Sequence, residues 1–525
     1  MLTQLTADQA LTWDRGYFPI AAAICVAVAL VGLASTIGRK NRSGFFGLLC
    51  LSLVFLSGLA YHLPYTNDDS FIFLRYARNI AQGQGPVWNP GELCEGFTSP
   101  AWLALLSAAH VAGLEPLLMG KVLGAAFGLG TLLLTWLTCR RLKPDPPMLF
   151  ASLLMLAASS MLQSWICSGM DVAIFLFWEA LVVWLFTRDR PPLVASFGVT
   201  AIAGWIRPEA NLVIMIAWGW RFWRDRGRCS RGALLARGVC VVALLALPFL
   251  ARAFAYGTLV PTTFYAKSDR TLRNGIALLL GALHGYGALV WTAGLAGLWI
   301  LRRAMGWLLA CVAAFGICFV AVGGDVLTER FSLFWAPLLW VGVCAGLDAV
   351  GRQVRQGLTP ILVVLTMVVC GIELHRMYQV MRPNSGWEGY LYVSANSIST
   401  METDAEIGRF LAEHANPGQT LVTDNIGAIG YYGGLRVMDF NGLTDTAIAR
   451  CIKQGRRDLA MEHVKAARPD WIVGYPGPAA TPEDYSMNTG SMGHWVKESY
   501  QPAVTLRSRT GYTRILLKRT DVILR

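Results

Sequence analysis

The chain has 525 residues, of which 54% are hydrophobic and only 15% are charged, and its mean hydropathy is +0.46. This composition is typical of a membrane protein and excludes an ordinary soluble enzyme. The formal net charge of +12 would suggest a nucleic-acid partner if it covered one soluble face. Most of this positive charge lies instead in short loops between apolar runs, where it indicates the orientation of the chain in the membrane. We therefore expect membrane lipid, and no nucleic acid, as a partner.

About twelve apolar runs are long enough to cross a bilayer, which takes about 17 to 25 residues. The first, at 17–36, has acidic residues before it and a basic segment after it, so it is predicted to be a retained span and not a signal peptide. Every second loop is basic, which places the N-terminus, the loop at 66–100 and everything after Met377 outside the cytoplasm. This alternation requires that the short apolar segment at 101–113 does not cross, so we expect an interfacial helix there.

From about residue 382 the composition becomes that of a soluble domain. Three short strands, TLVTD, RVMDF and WIVGY, alternate with helical patterns, and two later strands suit an edge hairpin. This order predicts a small α/β domain with a mainly parallel sheet. Asp424 and Asp439 close two strands, where they either bind a ligand or cap the following turns. We divide the chain into a transmembrane part at 1–380, with an external loop at 64–116, and an extracytoplasmic domain at 381–525.

The external loop contains the first substantial polar segment, which opens with NDDS before a helical pattern at 71–82. Asn67, Asp68 and Asp69 suit the free N–H groups and the positive dipole at a helix start, so both carboxylates are expected to stay ionised at neutral pH. Steps of three and four from Asp68 place a carboxylate, the Arg75 guanidinium and two amides on one face. That face suits an anionic, hydroxyl-rich ligand. The alternative is that the two carboxylates only cap the helix.

Further ionisable side chains lie at the outer ends of the predicted spans, far apart in the sequence. Each one alone is explained by anchoring at the membrane interface. Such a group is otherwise costly unless it faces a polar cavity, and their common position on the outer side predicts one shared outward-facing cavity. These residues include Arg75, Glu95, Asp171, Arg207, Glu209, Lys267, Asp325 and Arg330.

Several segments of the chain occur in a fixed order that is shared with one enzyme family. They are NDDSFIFLRYARNIAQGQGPVWNPGE, CEGFTSPAW, SGMD, IRPE, YGTLVPTTFYAK, GGDVLTERF, DNIGAIGYY and MDFNGLTD. From Asn67 to about Asp445, the chain resembles the GT-C glycosyltransferases. More narrowly, it resembles the bacterial terminal arabinofuranosyltransferase B family and its flagellar-motor-control and pilin-arabinosylating relatives. The resemblance implies a polytopic α-helical membrane protein of GT-C type with a C-terminal soluble α/β domain.

The resemblance also implies an activity, the transfer of D-arabinofuranose from a polyprenyl-phosphate donor to an acceptor outside the bacterial cytoplasmic (inner) membrane. The chain is shorter than the mycobacterial enzymes, so a cell-surface glycan and pilin both stay open as acceptors. The architecture does not fix the donor sugar, and mannose is an alternative. A lipid-linked sugar transporter and an inactive scaffold are two further classes. Transporters usually show internal repeats, and none is found in this sequence.

The resemblance assigns roles to the polar residues. Asp68 or Asp69 is the catalytic base for the acceptor hydroxyl, whereas in a retaining reaction one of them, or Asp325, would stabilise the sugar cation. A phosphate leaving group needs fixed positive charge. The sequence shows no metal-ligand spacing and implies no certain cofactor, and a divalent cation between Asp68 and Asp325 stays open. The residues assigned to the donor phosphate are Arg75, Arg207, Lys267 and Arg330, and those assigned to substrate are Asn67, Glu95, Asp171, Glu209, Tyr265 and Asp325.

Overall fold

The computed structural model describes residues 27–32, 43–267, 271–322, 328–353, 368, 371–372, 395–476, 485–487, 490–491, 494–508 and 513–523. These residues form a bundle of apolar helices, a segment at 64–116 that is predicted to be external and is called the external segment below, and a C-terminal α/β region. Most of the predicted first span and most of the predicted last span, at 358–377, lie outside this part of the chain.

The apolar runs between residues 43 and 353 form helices, as their length and composition predict. Several begin with proline, which presets the backbone angle. The residue before the proline caps the helix and can satisfy free N–H groups with its side chain. Glu115 does this for one long helix by accepting from the N–H groups of Leu117 and Leu118. In chain order the helices are α1 (Ser43–Tyr61), α2 (Asp68–Ala81), α3 (Pro100–Val111), α4 (Pro116–Arg140), α5 (Pro146–Ala157), α6 (Ser160–Cys167), α7 (Val172–Phe186), α8 (Leu193–Ile206), α9 (Ala210–Asp225), α10 (Arg231–Tyr256), α11 (Thr262–Ala266), α12 (Leu272–Ile300), α13 (Arg302–Val322), α14 (Thr328–Ser332) and, after a 3-10 turn (Leu333–Trp335), α15 (Ala336–Gln353).

Five of the described helices, α1, α4, α10, α13 and α15 with the turn before it, are long and apolar enough to cross a membrane. The number rises to seven if α5 with α6, bent by 49°, and the two halves of α12, bent by 78°, each form one span. The helices α7 and α8, of 15 and 14 residues, are shorter. The number of about twelve spans therefore stays a prediction. The 12 residues of α3 extend only about 18 Å, which agrees with a helix that does not cross.

The helices α12 and α15 pack with their backbones in close contact. A Cβ atom added to Gly297 would lie 1.8 Å from the carbonyl oxygen of Gly342. Only glycine permits this approach, and small residues commonly form the contact between helices in membranes. The contact places the residues before α15, which carry Arg330, at a fixed position on the bundle.

The C-terminal region contains the predicted parallel sheet. Strand β1 (Thr420–Thr423) pairs in parallel with both β2 (Arg436–Asp439) and β3 (Trp471–Pro476). Strand β7 (Thr513–Arg519) pairs antiparallel with β3 and β6 (Tyr500–Arg507), so the main sheet has the order β2-β1-β3-β7-β6. The last two strands form the predicted hairpin, which extends the sheet beyond β3. In chain order the elements are α16 (Ala395–His414), β1 (Thr420–Thr423), α17 (Gly427–Gly433), β2 (Arg436–Asp439), α18 (Thr446–Lys453), α19 (Arg457–Ala467), β3 (Trp471–Pro476), β4 (Tyr485–Met487), β5 (Gly490–Ser491), α20 (His494–Ser499), β6 (Tyr500–Arg507) and β7 (Thr513–Arg519).

The two faces of this sheet belong to different cores, because successive side chains of a strand point to opposite sides. Leu421 and Trp471 lie in the large core that continues through the external segment into the helical bundle. Val422 and Ile472 lie in a second core with residues of α18 and α19. The sheet region is therefore packed against the external segment, and α2 lies between it and the bundle.

Candidate active site

The start of α2 is hydrogen-bonded to the SGMD motif at 168–171. The Asn67 N–H and the Ser70 hydroxyl both donate to the carbonyl oxygen of Ser168, at 3.1 and 2.7 Å. The Asn67 side chain is the N-cap of α2 and accepts from the Asp69 N–H at 3.0 Å. Two polar motifs that are about one hundred residues apart are thus joined, and the Asn67 side chain is occupied as a helix cap.

Asp69 faces a guanidinium group from the end of the bundle. Its Oδ2 atom lies 3.9 Å from Nη1 of Arg330, and the two side chains are 33% and 5% exposed. The Arg330 guanidinium also lies 5.0 Å from the ring centre of Phe331, which limits its movement. Asp69 is therefore a solvent-accessible carboxylate beside a fixed positive charge.

Asp171, Arg207 and Glu209 form a network of ion pairs at the start of α7, the end of α8 and the start of α9. Arg207 donates to Asp171 Oδ2 at 2.6 Å and to the two Glu209 oxygens at 3.1 and 3.3 Å. Asp171 and Arg207 are buried, and the second Asp171 oxygen, Oδ1, is buried with no hydrogen-bond partner among the described residues. The ring centre of Phe334 lies 5.2 Å from the Arg207 guanidinium. The network leaves one buried acceptor oxygen unused.

Arg330 acts on this network as well as on Asp69. Burial alone would raise the pKa of Glu209, but the guanidinium groups of Arg207 and Arg330 lower it below its ordinary value. The effect of Arg330 on Glu209 joins the ion-pair network to the Asp69 pair.

Asp68 has a different environment from Asp69. Its two carboxylate oxygens accept from the N–H groups of Gly427 and Ala428, at 3.0 and 2.8 Å. Burial, and next the nearby Asp404 carboxylate, raise the pKa of Asp68 to about 7. With this pKa, Asp68 is only partly ionised at neutral pH, whereas the sequence analysis expected it to stay ionised. Neighbouring backbone groups already occupy its oxygens.

The side chains predicted to share one face of α2 contact the protein backbone. Arg75 is buried and donates to the carbonyl oxygens of Trp88, Gly430 and Leu435 at 2.7 to 3.0 Å. Asn79 donates to the carbonyl oxygen of Trp88 at 3.1 Å. These contacts place the Arg75 guanidinium among protein oxygens, and we do not keep it among the residues proposed for the donor phosphate.

Glu95 is engaged in a buried ion pair with a residue that the sequence analysis did not select. The Nε atom of Arg252 donates to the two carboxylate oxygens of Glu95 at 2.8 and 2.6 Å, and both side chains are buried. A single charge within an apolar run is a signal of an intramembrane partner, and it could have identified Arg252. The pair attaches the C-terminal end of α10 to the external segment.

Glu95→Gln is expected to destabilise the protein by about 3 to 5 kcal/mol, because it leaves the Arg252 charge buried without its partner. Arg252→Met is expected to have a similar effect. The double variant should be clearly less damaging than the sum of the two, since neither charge then remains. Thermal unfolding of the four proteins in one detergent measures this. Additive losses would mean that the pair does not couple α10 to the loop.

The other sequence-predicted residues lie on separate elements. Tyr265 belongs to α11, and its ring centre lies 4.5 Å from the Lys453 ammonium group on α18. Lys267 follows α11 and is half-buried. Asp325 lies outside the described residues. Among the residues that the structure describes, no three His, Cys, Asp or Glu side chains cluster as a metal site.

Asp439 caps a turn, and Asp424 forms an ion pair, within the C-terminal region. Asp439 accepts from the N–H groups of Asn441 and Thr444, and Asp424 pairs with Arg514 at 3.1 Å. Arg514 also pairs with Asp404 at 2.8 Å, and all three side chains of this cluster are buried. Asp439 therefore caps a turn, which is one of the two alternatives predicted from the sequence. No motif marks Arg514, which the sequence analysis did not identify.

Comparisons with known proteins agree with this architecture. The structure of ArnT from Cupriavidus metallidurans bound to undecaprenyl phosphate superposes with a TM-score of 0.55, at 13% identity, over 89% of this chain and 97% of that one. The chain has the GT-C fold. The predicted fold class, a polytopic helical protein with a C-terminal α/β region, is thereby confirmed.

Sequence similarity narrows the relationship within this fold. The chain is 33% identical to the terminal β-(1→2)-arabinofuranosyltransferase of Mycobacterium tuberculosis over 38% of its length and 34% of the relative's. It is 28% identical to the enzyme of that name from Corynebacterium glutamicum over 53% of its length and 47% of the relative's. The resemblance drawn from the motifs is confirmed. The chain spans a third to a half of the length of these curated relatives.

A family model covers part of the C-terminal region. It matches residues 395–515 and is described as a domain of unknown function, DUF8728. These residues include α16, the parallel strands and α17, which contacts Asp68.

Proposed function

We propose that this GT-C protein transfers a sugar, D-arabinofuranose, from a polyprenyl-phosphate donor to an acceptor on the outer side of the bacterial cytoplasmic membrane. The similarity to terminal β-(1→2)-arabinofuranosyltransferases supports the sugar. The ArnT structure that shares the fold holds undecaprenyl phosphate, which supports the donor class. A cell-surface glycan and pilin are the acceptors considered.

The observation that carries this proposal is the polar cluster at the outer end of an apolar bundle. A buried network of Asp171, Arg207 and Glu209 is costly next to the membrane unless it serves a ligand or a reaction. Beside it, Asp69 is accessible and Arg330 is fixed. Together they provide a base, a positive charge and hydrogen-bond acceptors, which are the groups that transfer from a sugar phosphate needs.

Asp69 is the base in this proposal. The proton of the acceptor hydroxyl moves to the Asp69 carboxylate while the hydroxyl oxygen forms a bond to the anomeric carbon. The bond between that carbon and the phosphate oxygen breaks, and its electron pair leaves with the polyprenyl phosphate. A carboxylate is a weak base, but the hydroxyl becomes more acidic as it attacks the cation-like sugar.

Arg330 compensates the charge that develops on the phosphate, and Lys267 at the end of α11 adds a second positive group. Arg207 is held between two carboxylates, so its role is to orient them. The unused Asp171 Oδ1 and the partly exposed Glu209 accept hydrogen bonds from sugar hydroxyl groups.

The proposal is tested with purified protein in nanodiscs and a panel of synthetic polyprenyl-phosphate sugars that includes arabinofuranose and mannose. Mass spectrometry follows each carrier lipid in the presence of arabinan fragments or pilin peptides. We expect the arabinofuranose carrier to be converted to polyprenyl phosphate and the acceptor to gain one pentose mass. The Asp69→Asn protein is the control.

If only the mannose carrier is consumed, the donor sugar is mannose and not arabinofuranose, and the protein is still a glycosyltransferase. If a carrier moves across the bilayer of sealed vesicles without being cleaved, the protein is a transporter and the proposed reaction is wrong.

A further inference from the structure

The helix α17 is bound to the external segment at both of its ends. At its start, the N–H groups of Gly427 and Ala428 donate to Asp68. Near its end, the Gly430 carbonyl oxygen accepts from Arg75 at 2.8 Å. The negative group at the first turn satisfies backbone N–H groups that a helix leaves unpaired. Arg75 adds a second donor to the Gly430 carbonyl oxygen, which also accepts from the Gly434 N–H at 3.3 Å. The external segment therefore contacts both the first and the last turn of α17.

The backbones of α17 and α2 approach each other so closely that the contact requires glycine in α17. A Cβ atom added to Gly427 would lie 2.0 Å from the Asp68 carbonyl oxygen, and one added to Gly430 would lie 2.9 Å from the Trp88 ring. A Cβ atom at Gly433, on the same short helix, would make only an ordinary contact of 3.5 Å. The helix therefore offers both a position that cannot accept a larger residue and a matched position that can.

The neighbouring strand extends the contact. Asn89 donates to the Val437 carbonyl oxygen at 2.9 Å and accepts from the Val437 N–H at 3.0 Å. The rings of Tyr431 and Tyr432 lie 5.7 and 5.6 Å from the ring of Phe71 on α2. The first turn of α2 is consequently attached to the bundle through Ser168 on one side and to the C-terminal region on the other.

We infer that Asp68 is a positioning residue that docks the C-terminal α/β region onto α2 and thereby fixes the neighbouring Asp69. Its oxygens serve the backbone of α17, whereas Asp69 keeps an accessible carboxylate beside Arg330. The docking contact stands on the hydrogen bonds alone. Its effect on catalysis rests on the proposed function.

The test compares the full-length wild type with Asp68→Asn, Gly427→Ala and the matched control Gly433→Ala in nanodiscs. Hydrogen–deuterium exchange of α17 reports docking, and consumption of the arabinofuranose carrier reports transfer. In Asp68→Asn the side-chain NH2 group faces one of the two backbone N–H donors and cannot accept from it. We therefore expect the protection of α17 against exchange and the kcat each to fall roughly tenfold, with the donor KM unchanged. Gly427→Ala should reproduce both losses, and Gly433→Ala neither.

The inference is overturned if Asp68→Asn loses transfer while exchange of α17 is unchanged and Gly427→Ala stays active, since Asp68 would then be the base. It is also overturned if both variants exchange like the wild type. Should no donor be consumed by the wild type, the proposed function fails, and the exchange effects of the two variants still decide the docking contact.

Discussion

Asp69→Asn is expected to lower sugar transfer by about 10² to 10⁴, the usual contribution of a positioned general base. The amide cannot take the hydroxyl proton, but it has nearly the same shape, so the fold and donor binding should be retained. The 3.9 Å separation from Arg330 puts the proton acceptor next to the positive charge that balances the leaving phosphate. Measurement of kcat and KM for the carrier, on protein of verified thermal stability, tests this.

Two other variants make this prediction specific to Asp69. Asp145→Asn changes an exposed Asp before helix α5 that forms no side-chain capping bond, and it should leave transfer unchanged. Asp68→Asn should cost about tenfold, because it weakens a contact and removes no base. Equal, complete losses for Asp68→Asn and Asp69→Asn with intact docking would contradict the division of roles between the two carboxylates.

The second large effect is expected in the C-terminal region. Arg514→Met should destabilise it by about 3 to 5 kcal/mol, because it leaves the Asp404 and Asp424 carboxylates buried without their shared cation. Arg514 pairs with them at 2.8 and 3.1 Å, and all three side chains are 0% exposed. Amide exchange in β1, β3 and β7 of the full-length protein should accelerate by more than a hundredfold.

Arg456→Met is the matched control for Arg514→Met. It breaks an Arg–Asp pair of similar length in the same region, at 2.6 Å to Asp458, but both side chains are more than half exposed. Exposed pairs contribute about 0 to 1 kcal/mol, so exchange in the strands should hardly change. If the two variants have equal effects, the buried cluster does not stabilise the sheet.

Much of the candidate site follows from the local sequence because polar residues are costly in an apolar chain. Asp171, Arg207, Glu209 and Arg330 were selected from their position at the ends of spans, and the structure joins them in one network with Asp69. Helical periodicity likewise placed Arg75 and Asn79 on one face of α2. It could not show that the carbonyl groups of the C-terminal region meet that face, since periodicity carries no information on what packs there.

The sequence by itself determined the membrane class, the helices, the parallel strands and the resemblance to terminal arabinofuranosyltransferases, because hydropathy, periodicity and motif order are local properties. The tertiary structure alone decided which of two adjacent carboxylates stays accessible to solvent. Asp68 and Asp69 are neighbours of the same chemical type, and only the approach of Gly427, 359 residues further along the chain, distinguishes them. Burial and hydrogen bonding depend on contacts distant in the sequence, and they occupy Asp68 and leave Asp69 accessible.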